Sequence, residues 1–122
     1  MIGRFIALLF LARDLAHREH LRVTGPGSFA KHMALGEFYP AIVELADKLA
    51  EAYQGRNGII EDMPLLENEY GDEIVGVLER HVDWIKTNRY TAVPRDDSTI
   101  QNIIDEIVGQ YLSTLYKLKF LQ

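Results

Sequence analysis

Residues 20–51 read HLRVTGPGSFAKHMALGEFYPAIVELADKLAE, and this stretch decides both the fold class and the candidate site. It begins at the end of one helical pattern, breaks at Gly25-Pro26-Gly27, and continues as a second helical pattern from Ser28. A glycine–proline break ends a helix and turns the chain, because proline lacks an amide hydrogen and glycine adopts turn conformations. The stretch therefore predicts two antiparallel helices joined by a short turn.

The second of these helices is predicted to run from Ser28, its N-cap, to about Tyr53, where Gln54-Gly55 ends it. Pro40 predicts a kink or bulge, because its ring crowds the carbonyl group four residues earlier. An amphipathic helix needs one apolar stripe, and this one has more, so we expect it to face both its own bundle and another subunit. The apolar positions form two adjacent lines, namely His32, Leu35, Tyr39, Ile42, Ala46, Leu49 and Tyr53, and Met33, Gly36, Val43 and Ala50.

Three further helical patterns complete the chain, and no convincing strand pattern is present. Apolar spacing predicts helices over about Ile2–Leu21 and Pro64–Thr87. A capping box from Ser98 to Gln101 opens a last helix that continues to the end of the chain. The connections are short to moderate, as antiparallel neighbours require. We therefore predict an all-α protein with a single four-helix domain over residues 1–122.

The composition is that of an ordinary globular chain, with 48% hydrophobic and 25% charged residues. A net charge of −5 and the lack of a lysine-rich tail give no strong case for nucleic-acid binding. Because the chain has no cysteine, disulfides, thiolate chemistry and cysteine-ligated zinc are excluded. The apolar run 5–12 is too short to span a bilayer. We expect a cytoplasmic protein with no membrane partner, the alternative being a targeting peptide at the N-terminus.

A pair of carboxylates and a distant histidine on the second helix suggest a site shared by two subunits. Asp47 and Glu51 are four residues apart, so their carboxylates share one helix face. His32 lies fifteen residues before Asp47, about 22 Å away along a straight helix, too far to ligate the same ion. If the same helix of a symmetry mate packs antiparallel, the histidine end of one chain meets the carboxylate end of the other. His20 can join His32 across the turn.

The spacing of these residues resembles the signature of the Dps family of miniature ferritins (DNA protection during starvation). That signature has a histidine, a glycine, a phenylalanine and a second histidine twelve residues after the first, and then an aspartate fifteen residues later within D-x-x-A-E. The matching positions in this sequence are His20, Gly25, Phe29, His32, Asp47, Ala50 and Glu51. The resemblance covers about 32 of the 122 residues, and it extends to small viral proteins of ferritin-like type.

The resemblance implies a ferritin-like antiparallel four-helix bundle that assembles as a homodimer or a larger homo-oligomer of up to twelve subunits. It implies iron binding and an intersubunit ferroxidase site that oxidises Fe(II) with peroxide or oxygen. The implied metal ligands and catalytic residues are His20, His32, Asp47 and Glu51, with His17 and Glu37 as additional candidates. Zinc or manganese would suit the same imidazole and carboxylate ligands.

Two positions depart from the family pattern. Leu21 stands where the family usually has an aromatic residue, and Gly36 stands where it often has a further aspartate. These departures keep open a second reading, a non-enzymatic ferritin-like oligomerisation or interaction protein with a vestigial or structural metal site. His81 lies in an apolar stripe of the third helix and is predicted to be a core residue.

Overall fold

The computed structural model describes residues 1–122 and contains four α-helices and no strand. They are α1 (Ile2–Arg22), α2 (Ser28–Asn57), α3 (Ile74–Ala92) and α4 (Ser98–Phe120). The predicted all-α class and the four-helix count are confirmed. None of the helices combines the length and the apolar character that crossing a membrane requires.

The α1–α2 turn forms where the glycine–proline break predicts it. Gly25 and Gly27 have φ angles of 89° and 79°, in the left-handed region that favours glycine. Gly27 is the N-cap of α2 and Ser28 is already helical, so the predicted capping role of Ser28 is wrong. At the other end, α2 runs past Gln54-Gly55 and stops at Gly58, whose φ is 94°.

Helix α2 continues without interruption through Pro40. The proline is exposed, so its ring lies on the solvent side of the helix rather than in the core. Gly36, whose carbonyl oxygen would accept the amide hydrogen that Pro40 lacks, is also helical. The helix therefore keeps the two ends of the candidate site on one continuous element.

The start of the third helix differs from the prediction by ten residues, because α3 begins at Ile74 and not at Pro64. The Glu73 side chain caps α3, accepting hydrogen bonds from the amides of Val75 (3.0 Å) and Gly76 (2.9 Å). Residues 58–73 form a non-helical connection, which we call the crossover segment. Its apolar side chains Ile60 and Leu66 still pack against the core, which explains why its spacing resembles that of a helix.

Helix α4 begins at Ser98 as predicted, but a different residue caps it. The Asp97 carboxylate accepts the Ile100 amide at 3.3 Å, so the predicted capping box is wrong. Gln101 is buried and bonds elsewhere, donating to the carbonyl of Val93 at 3.0 Å and accepting from Arg89 at 2.9 Å. Gln101 thus joins the end of α3 to the start of α4.

Two ion pairs show the direction of α4 relative to α2. Arg56 in the last turn of α2 lies 2.8 Å from Asp97 at the start of α4. Lys117, near the end of α4, lies 2.6 Å from Glu37 in the first half of α2. Helices α2 and α4 are therefore antiparallel neighbours, although they are not consecutive in the chain.

Helix α3 packs between α4 and α1, diagonally opposite α2. Arg89 near the end of α3 pairs with Asp105 in the first part of α4 at 2.7 Å, so these two helices are antiparallel. Phe5, near the start of α1, packs edge-on against Trp84 in the second half of α3. Helices α2 and α3 therefore run in the same direction and do not pack together, contrary to the prediction of antiparallel neighbours. The crossover segment returns the chain along the bundle.

All four helices contribute to one hydrophobic core. Its largest fully buried side chains include Phe5, Phe38, Leu78, Ile104 and Tyr111. Each such apolar side chain stabilises the fold by roughly 1.5–3 kcal/mol through its removal from water. His81 is fully buried among them, so its predicted position in the core is confirmed.

Candidate functional site

Two of the predicted ligands, His20 and His32, lie face to face where α1 and α2 meet at the turn. Their ring centroids are 3.7 Å apart and their planes differ by 15°. His20 Nδ1 donates a hydrogen bond to the carbonyl oxygen of His32 at 2.7 Å, and His32 Nδ1 donates to the carbonyl oxygen of His20 at 2.7 Å. We call this reciprocal arrangement the imidazole pair.

The reciprocal bonds fix the tautomers of both rings. A carbonyl oxygen only accepts hydrogen bonds, so each Nδ1 must carry a hydrogen. In a neutral imidazole, Nε2 then keeps a lone pair. The carbonyl of His20 lies in the last turn of α1, where helical carbonyls lack an intrahelical partner. The imidazole pair therefore also helps to cap α1.

Gly36 makes room for the imidazole pair. It lies one turn after His32 on the same face of α2. A Cβ atom at this position would lie 2.9 Å from Cε1 and 3.2 Å from Nδ1 of His20, closer than ordinary packing allows. Any side chain at position 36 would push the His20 ring away, which gives this departure from the Dps pattern a structural reason.

His17 lies beside the imidazole pair and packs against an aromatic ring. Its ring stacks on Tyr39 with centroids 4.1 Å apart and planes 10° apart. The Arg13 guanidinium lies 5.8 Å from the centre of the same tyrosine ring. The centroid of His17 is 6.2 Å from that of His20. His17 is thus a packing residue next to the pair, and its ring stacks on Tyr39.

The predicted carboxylate ligands lie far from the imidazole pair of the same chain. Asp47 and Glu51 are both exposed and four residues apart on α2. Neither takes part in an ion pair within the chain. The fifteen residues from His32 to Asp47 correspond to about 22 Å of helix. No group of three or more His, Cys, Asp or Glu side chains in one chain is placed to hold a metal ion.

Glu37, the other additional candidate, is engaged on a different side of α2. Its carboxylate forms the 2.6 Å ion pair with Lys117 of α4. That pair faces α4, whereas the imidazole pair faces α1. Glu37 therefore belongs to an ion pair on the surface of the bundle and lies apart from the histidines.

Exposed apolar side chains flank the two histidines in the sequence. Leu21, Phe29 and Met33 are exposed on the same end of the α1–α2 hairpin. The sequence pattern placed Tyr39 and Gly36 in the two apolar lines of α2 but did not predict their contacts with the histidines. The signal that could have found them is their spacing, because positions 36 and 39 follow His32 by one and two helical turns.

Comparison with known protein families gives a match over most of the chain. A model of a family of unknown function (DUF5856) matches residues 20–118, a range that includes the imidazole pair and both carboxylates. No curated protein and no solved structure matches the chain. Because the matched range covers most of the 122 residues, the chain belongs to the family of unknown function DUF5856.

Proposed function

We propose that this protein is a Dps-like iron-binding protein with a ferroxidase site between two subunits. In this proposal His20 and His32 of one subunit and Asp47 and Glu51 of its partner bind Fe(II), which peroxide or oxygen oxidises. Iron is the substrate, and its sequestration protects against oxidative damage. A symmetric dimer carries two such sites, each at one end of the paired α2 helices.

The imidazole pair is the observation that carries the proposal. Metal-binding histidines almost always donate their second ring hydrogen to a carboxylate, a backbone carbonyl or water, which fixes the tautomer and the ring orientation. Both Nδ1 atoms already make that bond at 2.7 Å, and both Nε2 lone pairs are free to bind a cation. A packing role alone does not require two histidines to bond each other's backbone.

The helix connectivity also supports the proposal. One long crossover between a second and a third helix that run in the same direction is the connectivity of ferritin-like bundles. The crossover segment over residues 58–73 makes this connection. The chain thus combines that connectivity with histidine and carboxylate positions spaced as in the Dps signature.

The ligand chemistry suits iron oxidation. Two carboxylates offset the charge that builds up as Fe(II) becomes Fe(III), and hard oxygen ligands favour the oxidised ion. Two neutral imidazoles add affinity for first-row divalent metals, zinc and manganese included. The exposed, unpaired carboxylates of Asp47 and Glu51 need no rearrangement within their own chain to reach a partner.

The proposal is tested by anaerobic titration of the metal-free protein with Fe(II), followed by peroxide. We expect saturable binding and fast oxidation, both lost in an Asp47→Ala/Glu51→Ala variant. The matched control is Glu44→Ala, which removes another exposed carboxylate of α2 outside the site. Wild-type oxidation no faster than that of the double variant would refute the ferroxidase role.

A second candidate is a non-enzymatic oligomerisation or interaction protein with a structural or vestigial metal site. The exposed apolar residues Leu21, Phe29 and Met33 favour it, because such a cluster commonly marks a protein–protein interface. Under this second proposal the oligomer forms without metal, and Fe(II) is not oxidised faster than in buffer. Sedimentation of the metal-free protein, beside the oxidation assay, separates the two candidates.

A further inference from the structure

The outer face of α4 carries an apolar ridge that no element of the chain covers. Leu112, Tyr116 and Phe120 are 53%, 55% and 71% exposed. They are spaced four residues apart, so they lie side by side along one face of the helix, and the rings of Tyr116 and Phe120 are 6.1 Å apart. A groove of about 690 Å³ between α3 and α4 adjoins this ridge.

Gly109 lies on the same face, before the ridge. It is an exposed glycine inside a helix, and a Cβ atom built on it would meet nothing within 4 Å. Glycine in a helix interior is less favourable than alanine, and packing within this chain does not require it here. Because position 109 lacks a side chain, the helix surface has a notch next to the ridge.

Opposite charges lie at the two ends of this face. The acidic residues of α4, Asp105 and Glu106, precede Gly109, and its basic residues, Lys117 and Lys119, follow Tyr116. Their ion pairs within the chain are partly or largely exposed, and such pairs contribute little to stability. These charges can therefore exchange their partners within the chain for those of a second copy and select the orientation of a partner helix.

We propose that α4 packs antiparallel against α4 of a second copy of this chain, around a two-fold axis near Leu112 and Ser113. Positions equally distant from the axis then face each other. The notch at Gly109 meets the partner's Tyr116. On the flank towards α3, Asp105 lies near the partner's Lys119, and on the flank towards α2, Glu106 lies near the partner's Lys117. A two-fold contact of this kind uses the same patch on both subunits, so the patch must be complementary to itself. A notch facing a ridge and acids facing bases satisfy that requirement.

This contact is separate from the proposed iron site. Helix α4 packs on α2 and α3 and does not touch α1, whereas the imidazole pair lies where α1 and α2 meet. The α4 contact therefore stands whether or not the ferroxidase proposal holds. If both contacts form, two different two-fold axes connect the subunits into an assembly larger than a dimer.

The test uses the absence of native cysteine. Ser113 is exposed beside the proposed axis, so Ser113→Cys should form a disulfide-linked dimer under mild oxidation, seen on a non-reducing gel. The matched control is Asn102→Cys, exposed on the same helix but about 16 Å from the axis. Dimer formation by Ser113→Cys alone supports the contact. No dimer, or equal dimer formation by both variants, overturns it.

A second variant separates this contact from random collision. Gly109→Leu in the Ser113→Cys background fills the notch and should slow cross-linking by about tenfold or more, because overpacking weakens association. The same change should leave thermal stability equal or higher, because leucine favours the helix more than glycine does. Unchanged cross-linking in a folded Gly109→Leu variant would overturn the antiparallel arrangement.

Discussion

At the scale of single residues, His81 couples the stability of the fold to pH. Its ring is fully buried on α3, and burial lowers the pKa of the imidazole from its ordinary 6.5 to about 4. Nδ1 lies 3.2 Å from the Tyr111 hydroxyl, whose own pKa is raised by burial, and the ring packs edge-on against Tyr70 of the crossover segment. Nε2 has no hydrogen-bond partner in the chain. No carboxylate pairs with the ring to stabilise its charged form.

We predict that His81 reduces stability as the pH falls from 6.5 towards 4. In this window the unfolded chain binds a proton on the imidazole and the folded chain does not, so acid favours unfolding. The penalty is absent above pH 6.5 and reaches about 3 kcal/mol below pH 4. Urea unfolding at pH 7.5 and 4.5 should show a His81-dependent loss of about 2–3 kcal/mol.

A double variant isolates this term. His81→Phe/Tyr111→Phe removes both partners of the buried hydrogen bond, a change that is often nearly neutral when shape is kept. The variant should lose less stability between pH 7.5 and 4.5 than the wild type. An identical loss in both proteins would show that other groups cause the acid sensitivity.

Gly36 offers a second prediction at the residue scale. Gly36→Ala should displace the His20 ring, because the new Cβ would lie 2.9 Å from its Cε1. Loss of a ligand's supporting hydrogen bond typically lowers metal affinity by about 10- to 100-fold. Fe(II) titration should therefore show weaker binding, although no ligand is removed.

The control for this variant is Gly55→Ala on the same helix. Position 55 is exposed, and a Cβ there meets nothing within 4 Å. Gly55→Ala should keep wild-type Fe(II) affinity. Equal affinities in all three proteins would mean that the geometry of the imidazole pair does not matter for binding.

At the scale of helices, periodicity and turn residues predicted most of the fold. Helices α1, α2 and α4 begin within one residue of the predicted starts, because the apolar patterns and the glycine–proline turn mark those starts even though the predicted capping residues were wrong. The predicted start of α3 was wrong because Leu66, Tyr70 and Ile74 recur at helical spacing although residues 66–73 are not helical. Local interactions keep these residues out of α3. The Asn68 side chain accepts a hydrogen bond from the Tyr70 amide, and Gly71 has a left-handed φ of 84°.

Gly3 governs how the crossover segment packs on α1. A Cβ at this position would overlap the backbone carbonyl of Asp62, so the close approach of the two elements requires glycine. We predict that Gly3→Ala destabilises the fold by about 1–3 kcal/mol, although alanine is the better helix former. Urea unfolding measures the change, and limited proteolysis within residues 58–73 should become faster.

Gly55→Ala again provides the comparison, because it makes the same substitution in an open helix position. It should stabilise the protein by up to about 1 kcal/mol. If Gly3→Ala were as stable as Gly55→Ala, the crossover segment would not depend on its contact with α1.

At the scale of the whole molecule, the sequence pattern indicated candidate members of the proposed site but not how the bundle is connected. Helical spacing records which face of a helix is apolar, and it does not record which other helix covers that face. The parallel course of α2 and α3 therefore became visible only from cross-helix pairs such as Arg56–Asp97. The distance between His32 and Asp47 could be predicted, because it depends only on the rise of one helix.

That distance leads to a prediction about two inactive chains. A His20→Ala/His32→Ala variant keeps its carboxylates, and an Asp47→Ala/Glu51→Ala variant keeps its histidines, so neither homodimer has a complete site. A mixed dimer of the two combines intact histidines and intact carboxylates at one of its two sites. Mixing the inactive variants under subunit exchange should therefore restore Fe(II) binding and oxidation.

The expected recovery follows from counting. Random exchange of equal amounts makes half of the dimers mixed, and each mixed dimer has one complete site where a wild-type dimer has two. One quarter of all sites are then complete, so activity should reach about a quarter of the wild-type value. The control is each inactive variant taken through subunit exchange alone, which should show no activity. No recovery would contradict the shared site. If each site lay within one chain, every chain in the mixture would still lack either its histidines or its carboxylates.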